Sequence, residues 1–282
     1  MPAEARAPRP AVAIPVYKPV LSAAERVSVE RTVQTLRGRD LFLVGPQHLA
    51  PWMHQQCLRH APALQCKVYD DRYFAGIAGY NALMRSKVFY RSFAAFSHVL
   101  IAQTDALVLS DQLDHWCARD ISYVGAPWFA GGSEPVRPLE FVGVGNGGFS
   151  LRRVDDFLRV LSTLRRVPNF VKSRSGGRTA VARAWRRLKH EWYYAYSIGP
   201  LVPTSNEDVF WGVLVPAAFP FFRVPSPEQA LEFAFEVAPR EMYALNGFRL
   251  PFGCHAWERC DRAFWIEQLP DLGPSLQAAA AG

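Results

Sequence analysis

The stretch Phe96 to Asp111, FSHVLIAQTDALVLSD, constrains the fold of this chain more than any other. An apolar run from His98 to Ala102 and a second from Ala106 to Leu109 enclose one polar break, Gln103, Thr104 and Asp105. A run of this length and composition reads as a buried strand that delivers Asp105 to the end of a sheet. An ionised carboxylate in such a place must be paired, hydrogen-bonded or metal-bound, because burying it bare costs several kcal/mol. Two readings of Asp105 follow: a capping or salt-bridged acid at a strand-to-turn junction, and a metal ligand at a binding site.

The segments around it alternate. Ala11 to Tyr17 reads as a first strand. Ser22 with Glu25 three residues on is a capping-box signature ahead of a helix carrying Val29, Val33 and Leu36 at helical spacing. Strands are expected at Asp40 to Val44 and Leu64 to Tyr69, with a helix around Trp52 to His60 between them. One helical pattern runs from Ala75 to Tyr90, on which Asn81 and Lys87, six residues apart, do not share a clean stripe. This βαβαβ succession predicts an α/β fold with a mostly parallel sheet, whose ligands bind beyond the carboxyl ends of the strands. Beyond it we expect a short helix over Asp111 to Cys117, a strand over Ile121 to Trp128 and a helix over Val154 to Leu164. Further helices are expected over Ala180 to Tyr196, from about Ser205, and around Arg262 to Gln268. The domain reading is a mobile tail over residues 1–10, one domain over 11–270 and a frayed, low-complexity tail over 271–282.

Composition excludes several classes. Half of the 282 residues are hydrophobic and 20% are charged, a globular profile. No apolar run reaches the roughly 18 residues that span a bilayer, and MPAEARAPRP has no apolar signal core, so a cytoplasmic protein is expected. Five scattered cysteines without a CxxC pair argue against structural zinc or a disulfide framework. The net charge of +7 favours an anionic partner. Much of the excess lies between residues 164 and 189, where nine Lys or Arg occur without one acid; this is either a solvated face or an anion-facing segment. No RRM, KH or other nucleic-acid module is visible, and no nucleic-acid partner is expected.

Three further motifs carry possible chemistry. Gly143, Gly145 and Gly148 spell GxGxxG, but the following FSLRR reads as extended where a dinucleotide site needs a helix. Either a close approach of backbone to ligand or a tight hairpin turn accounts for these glycines. Glu207 and Asp208 fall in the first turn of a helix capped by Ser205 or Asn206, as complements to the helix dipole or as a general base. His255, among aromatics, is a packed core residue or a metal ligand.

In this order, IPVYKP, GYNALMRSKVFY, HVLIAQTDALV, YVGAPW, VGNGGFSLR, NEDVFW and LPFGCHAW resemble the family called domain of unknown function 5672, over about Ala11 to Trp265. That family in turn resembles the GT-A glycosyltransferases, whose fold is Rossmann-like with a central sheet flanked by helices. The resemblance implies that Pro15 and Tyr17 flank a nucleobase, that Asp105 takes the metal position of an Asp-x-Asp motif, and that Gly147 and Gly148 form a sugar-facing turn. It further implies that Asp208, with Glu207 beside it, supplies the base and that His255 completes the metal site. Asn81 and Lys87 are carried as further donor contacts. Gln103 stands where the first Asp of the motif belongs, offering a hydrogen bond to ribose but no charge.

The function expected on this resemblance is metal-assisted, inverting transfer of a sugar from a UDP- or GDP-sugar to a hydroxyl of a glycan, lipid-linked or other acceptor, as in cell-surface polysaccharide or glycan synthesis. Mn²⁺ or Mg²⁺ is the expected cofactor. The basic segment is expected to meet an anionic acceptor or the inner membrane surface. The rivals are a sugar nucleotidyltransferase, against which the absence of glycine in IPVYKP counts, and a non-catalytic glycan- or RNA-binding protein on the same scaffold.

Overall fold

A computed structural model describes residues 8–60, 62, 64–163 and 206–281. Strands β1 (Pro10–Pro15), β2 (Asp40–Pro46), β3 (Leu64–Tyr69) and β4 (His98–Ala102) pair in parallel in the order β3-β2-β1-β4. The crossovers are α1 (Ala23–Thr35), α2 (Ala50–Arg59), and the pair α3 (Gly76–Met84) and α4 (Lys87–Ser92). Both faces of β1, β2 and β4 are covered, which is why these strands lack a polar alternation, whereas the edge strand β3 carries Gln65 and Lys67 and is partly exposed. Ala11 and Ala13 of β1 and Val99 and Ile101 of β4 pack on one side, with Phe89, Phe93, Phe157 and Trp211. Val12, Ile14, Leu100 and Ala102 pack on the other, with Val33, Met53 and Trp116.

The chain then passes through β5 (Leu107–Val108), α5 (Leu113–Cys117), β6 (Tyr123–Val124), β7 (Pro127–Phe129), β8 (Phe141–Val144), β9 (Phe149–Arg153) and α6 (Val154–Ser162). Strand β9 joins the main sheet antiparallel to β4, and β6 pairs antiparallel to β9. A small second sheet unites β10 (Ala234–Phe235), β11 (Gly253–Cys254) and β5.

Several sequence expectations meet a different local structure. The helix expected over Ala75 to Tyr90 is broken: the Ser86 hydroxyl donates to the last turn of α3 at Leu83 O (2.8 Å) and accepts from Phe89 N (3.2 Å), capping α4. The strand expected over Ile121 to Trp128 divides because β6 pairs with β9 in the main sheet whereas β7 pairs with β8. A hairpin at the glycines is excluded for the same reason, since β8 and β9 belong to different sheets. The expected frayed end is instead a helix, Leu272–Ala281, whose Leu272 and Leu276 are buried in a cluster with Ala24 and Val27 of α1. At the other end, Arg9 pairs with Asp40 and Pro10 opens β1. The helix expected over Ala180 to Tyr196, the basic segment and Ser205 lie outside the described residues. No described helix is long and apolar enough to cross a membrane.

Candidate active site

Strand register brings distant residues together. Because Ala102 pairs with Phe149 in the antiparallel β4–β9 ladder, the next position places Gln103 opposite Gly148, and Gln103 N donates to Gly148 O (2.8 Å). Likewise Cys254 pairs antiparallel with Leu107, so the chain leaving β11 runs back past Ala106 towards Asp105. His255 Nε2 consequently lies 3.3 Å from Asp105 Oδ1 and 3.3 Å from Gln103 Oε1. The other ring nitrogen, Nδ1, is 2.9 Å from Glu236 Oε1; a carboxylate only accepts, so Nδ1 donates. Burial works to lower the His255 pKa, but the Asp105 and Glu236 carboxylates outweigh it and push it up to about 9.

Beside this cluster, a cleft of about 410 Å³ opens beyond the carboxyl ends of β1 and β4. Its lining includes Tyr17, Tyr80, Asn81, Gln103, Gly147, Gly148, Glu207 and Asp208. Tyr17, just past β1, sets its ring edge-on to Phe74 and Tyr80, with centroids 5.8 and 5.9 Å away. Asn81 on α3 accepts from Glu207 N (3.1 Å) and reaches Asn206 Oδ1 with its amide (3.4 Å). Asn206 is therefore tied to Asn81 and makes no side-chain cap on the helix that begins at Glu207. Pro15 ends β1 buried, and neither it nor Lys87 is among the cleft-lining residues.

The two acids of the NED motif differ in environment. Glu207 is 2% exposed; its Oε1 takes the fully buried Arg152 guanidinium at 2.9 Å. Arg152 also reaches Ser150 Oγ (3.1 Å) and the Tyr90 hydroxyl (3.0 Å), so the pair is anchored on β9 and α4. Asp208 lines the cleft and accepts from the adjacent Val209 N (2.8 Å). Burial raises the Asp208 pKa above the ordinary aspartate value, the Val209 amide opposes this, and the Glu236 charge adds to it.

Gly147 and Gly148 are required by packing. A Cβ on Gly147 would lie 1.7 Å from Glu207 Oε1, and one on Gly148 would lie 2.1 Å from His255 Nε2. Asn146 turns the chain ahead of them at φ 69°, with its Oδ1 accepting from Gly148 N (2.9 Å). Sequence reasoning missed Glu236, Arg152 and Tyr80, and read Asn206 as a helix cap where it instead bonds Asn81. Glu236 had a signal, an acid closing the apolar run of EFAFE as Asp105 closes that of HVLIA; the buried Arg152 had none.

Asp105 and His255 are the side chains here that could hold a divalent cation, His255 only once Nε2 has lost its proton, and Glu236 orients the ring as an outer partner does at metal-bound histidines. Among the described residues, no group of three or more His, Cys, Asp or Glu could hold a metal ion, so a bound cation would draw further ligands from substrate.

The doubly covered, mostly parallel sheet with its cleft at the strand ends is an α/β fold, and it matches solved GT-A glycosyltransferases. The galactosyltransferase LgtC, in complex with donor and acceptor sugar analogs, aligns over 94% of this chain and 95% of its own, with a TM-score of 0.50 and 11% identity. An active-site mutant of LgtC aligns over the same shares with a TM-score of 0.50 and 12% identity. The glycosyltransferase GlyE of Streptococcus pneumoniae TIGR4 aligns over 95% of this chain at a TM-score of 0.46 and 11% identity, and this chain spans 62% of that protein's length. At these identities the likeness is one of fold. The chain belongs to the family described as Protein of unknown function (DUF5672), whose model matches residues 63–255. Comparison with curated proteins finds no match.

Proposed function

We propose that this chain is an inverting glycosyltransferase that moves a sugar from a UDP- or GDP-sugar to an acceptor hydroxyl, with residues 11–270 acting as one transferase unit. The reading is carried by one observation: Gln103, Asp105, Gly147, Gly148, Asp208 and His255, remote in sequence, meet at or beside one cleft past the ends of parallel strands. Tyr17 borders the nucleobase, and the Gln103 amide hydrogen-bonds a ribose hydroxyl. Asp208 takes the proton of the acceptor hydroxyl as its oxygen bonds to the anomeric carbon, and the bond from that carbon to the diphosphate oxygen breaks. Of the two acids, Asp208 suits the base because Glu207 is engaged by Arg152.

Asp105 and His255 would hold Mn²⁺ or Mg²⁺, which when bound neutralises the charge that develops on the departing diphosphate. The basic segment 164–189 we assign to an anionic acceptor or the inner face of a membrane, with the protein on the cytoplasmic side and its product a surface glycan or polysaccharide.

Thermal unfolding with a set of UDP- and GDP-sugars, with and without Mn²⁺, tests the reading. A ligand at a hundredfold excess over its Kd stabilises the native state by about 2.7 kcal/mol, a measurable rise in Tm. Asp105→Ala should abolish the Mn²⁺-dependent part of that rise. Asp208→Asn should keep donor binding and lower turnover by about 10²–10⁴-fold. If no nucleotide sugar raises the wild-type Tm under either condition, the transferase reading is wrong.

A further inference from the structure

Two residues that line the cleft each carry a buried polar atom without a hydrogen-bond partner in the protein. Tyr80 is 8% exposed and its hydroxyl has no hydrogen bond of good geometry, with the Gln103 side chain close enough to interact with it. Glu207 Oε2 is likewise buried and unpartnered, although Oε1 of the same carboxylate takes Arg152. Other buried phenols of this fold are satisfied: Tyr90 donates to Met84 O (2.8 Å), and Tyr123 to Asn146 O (3.3 Å). Buried polar groups without partners are uncommon in native interiors, and two lining one cleft call for a ligand.

We propose that Tyr80 Oη and Glu207 Oε2 form a recognition pair for hydroxyls of the transferred sugar, the phenol donating to one oxygen and the carboxylate accepting from a neighbouring hydroxyl. The inference rests on the donor-sugar reading above. The chemistry selects the ligand class. A carboxylate held by Arg152 accepts and does not donate, whereas a phenol does either, so the pair matches adjacent hydroxyls on an uncharged sugar ring. An acidic sugar turning its carboxylate to this wall would meet Glu207 with like charge. The wall is fixed: Asn81 holds the Glu207 backbone, and Gly147 leaves room for its carboxylate.

Calorimetric titration of wild type and Tyr80→Phe tests the pair, using UDP, GDP, UDP-glucose, UDP-galactose and GDP-mannose. Tyr80→Phe keeps the ring and removes one oxygen, so it carries the test where Glu207→Gln would break a buried ion pair. For the nucleotide sugar that wild type binds best, the variant should bind about tenfold more weakly while its affinity for the parent nucleoside diphosphate stays within twofold. A deoxy analogue lacking the recognised hydroxyl should lose affinity for wild type and no more for the variant. Equal affinity of variant and wild type for the nucleotide sugar means that water satisfies these atoms, and overturns the pair while the donor reading stands. A wild type that binds none of the five overturns both.

Discussion

Asp208 is the residue on which the proposed chemistry turns, and its environment makes a definite statement about pH. Burial holds its carboxyl above the ordinary aspartate value of 3.8, and a base works only when ionised. The rate should therefore rise with pH along a limb whose midpoint lies above that value, and Asp208→Asn should remove the limb as well as the rate. A limb that persists in the Asn variant would place the base elsewhere. The same shift has the opposite sign for stability: the folded chain holds this proton more tightly than the unfolded one, so the contribution of Asp208 to stability falls as pH rises from the unfolded towards the folded pKa. Gly148 offers a second test at this scale. A methyl group there would press on His255 Nε2, and the ring would have to leave Asp105. Gly148→Ala should keep a native far-UV spectrum and lose about 10²-fold in turnover, the usual consequence of a displacement of about 1 Å at a reacting centre.

At the scale of elements, α1 shows how local chemistry and packing cooperate. Its capping box is complete, with Ser22 Oγ accepting from Glu25 N (3.2 Å) and Ser22 N donating to Glu25 (2.6 Å). Glu25 also takes Lys18 (2.9 Å) and lies 3.4 Å from the Thr104 hydroxyl, so the cap ties α1 to the turn that carries Asp105. The capping signature was legible because it needs only residues three apart. The C-terminal helix was not, since LQAAAAG offers little beyond helix propensity and its order comes from the α1 surface it covers. Leu276→Ala should consequently cost about 2–5 kcal/mol in chemical denaturation, as a buried leucine does; a cost under about 0.5 kcal/mol would mean that the helix is frayed after all. Ser86 belongs to the same class of surprise. Its hydroxyl serves two helices at once, and periodicity alone runs straight through it.

For the molecule as a whole, the buried Arg152–Glu207 pair joins the antiparallel half of the sheet to the helix bearing Asp208. Removing one partner leaves the other charge stranded, so Arg152→Met should cost about 3–5 kcal/mol in urea unfolding. Arg152→Met combined with Glu207→Leu should cost less than the sum of the single changes, because no charge is then left buried alone; strict additivity would mean that the pair is not coupled. The sequence by itself determined the parallel half of the sheet, the placing of Asp105 at a strand end, the extended FSLRR and the α1 cap. Each depends on residues close together along the chain, where hydrophobic period and capping chemistry act directly. Only the tertiary structure decided that His255 reaches Asp105, that Glu236 orients it, that Glu207 is engaged by Arg152 while Asp208 faces the cleft, and that Tyr80 is left unbonded. The meeting of His255 with Asp105 and of Gln103 with Gly148 comes from antiparallel pairing of strands far apart in sequence, β5 with β11 and β4 with β9, and that of Glu236 with His255 from the parallel β10–β11 pair. A slip of one residue would turn every side chain to the opposite face, and Tyr80 and Asp208 arrive on helices packed against this frame.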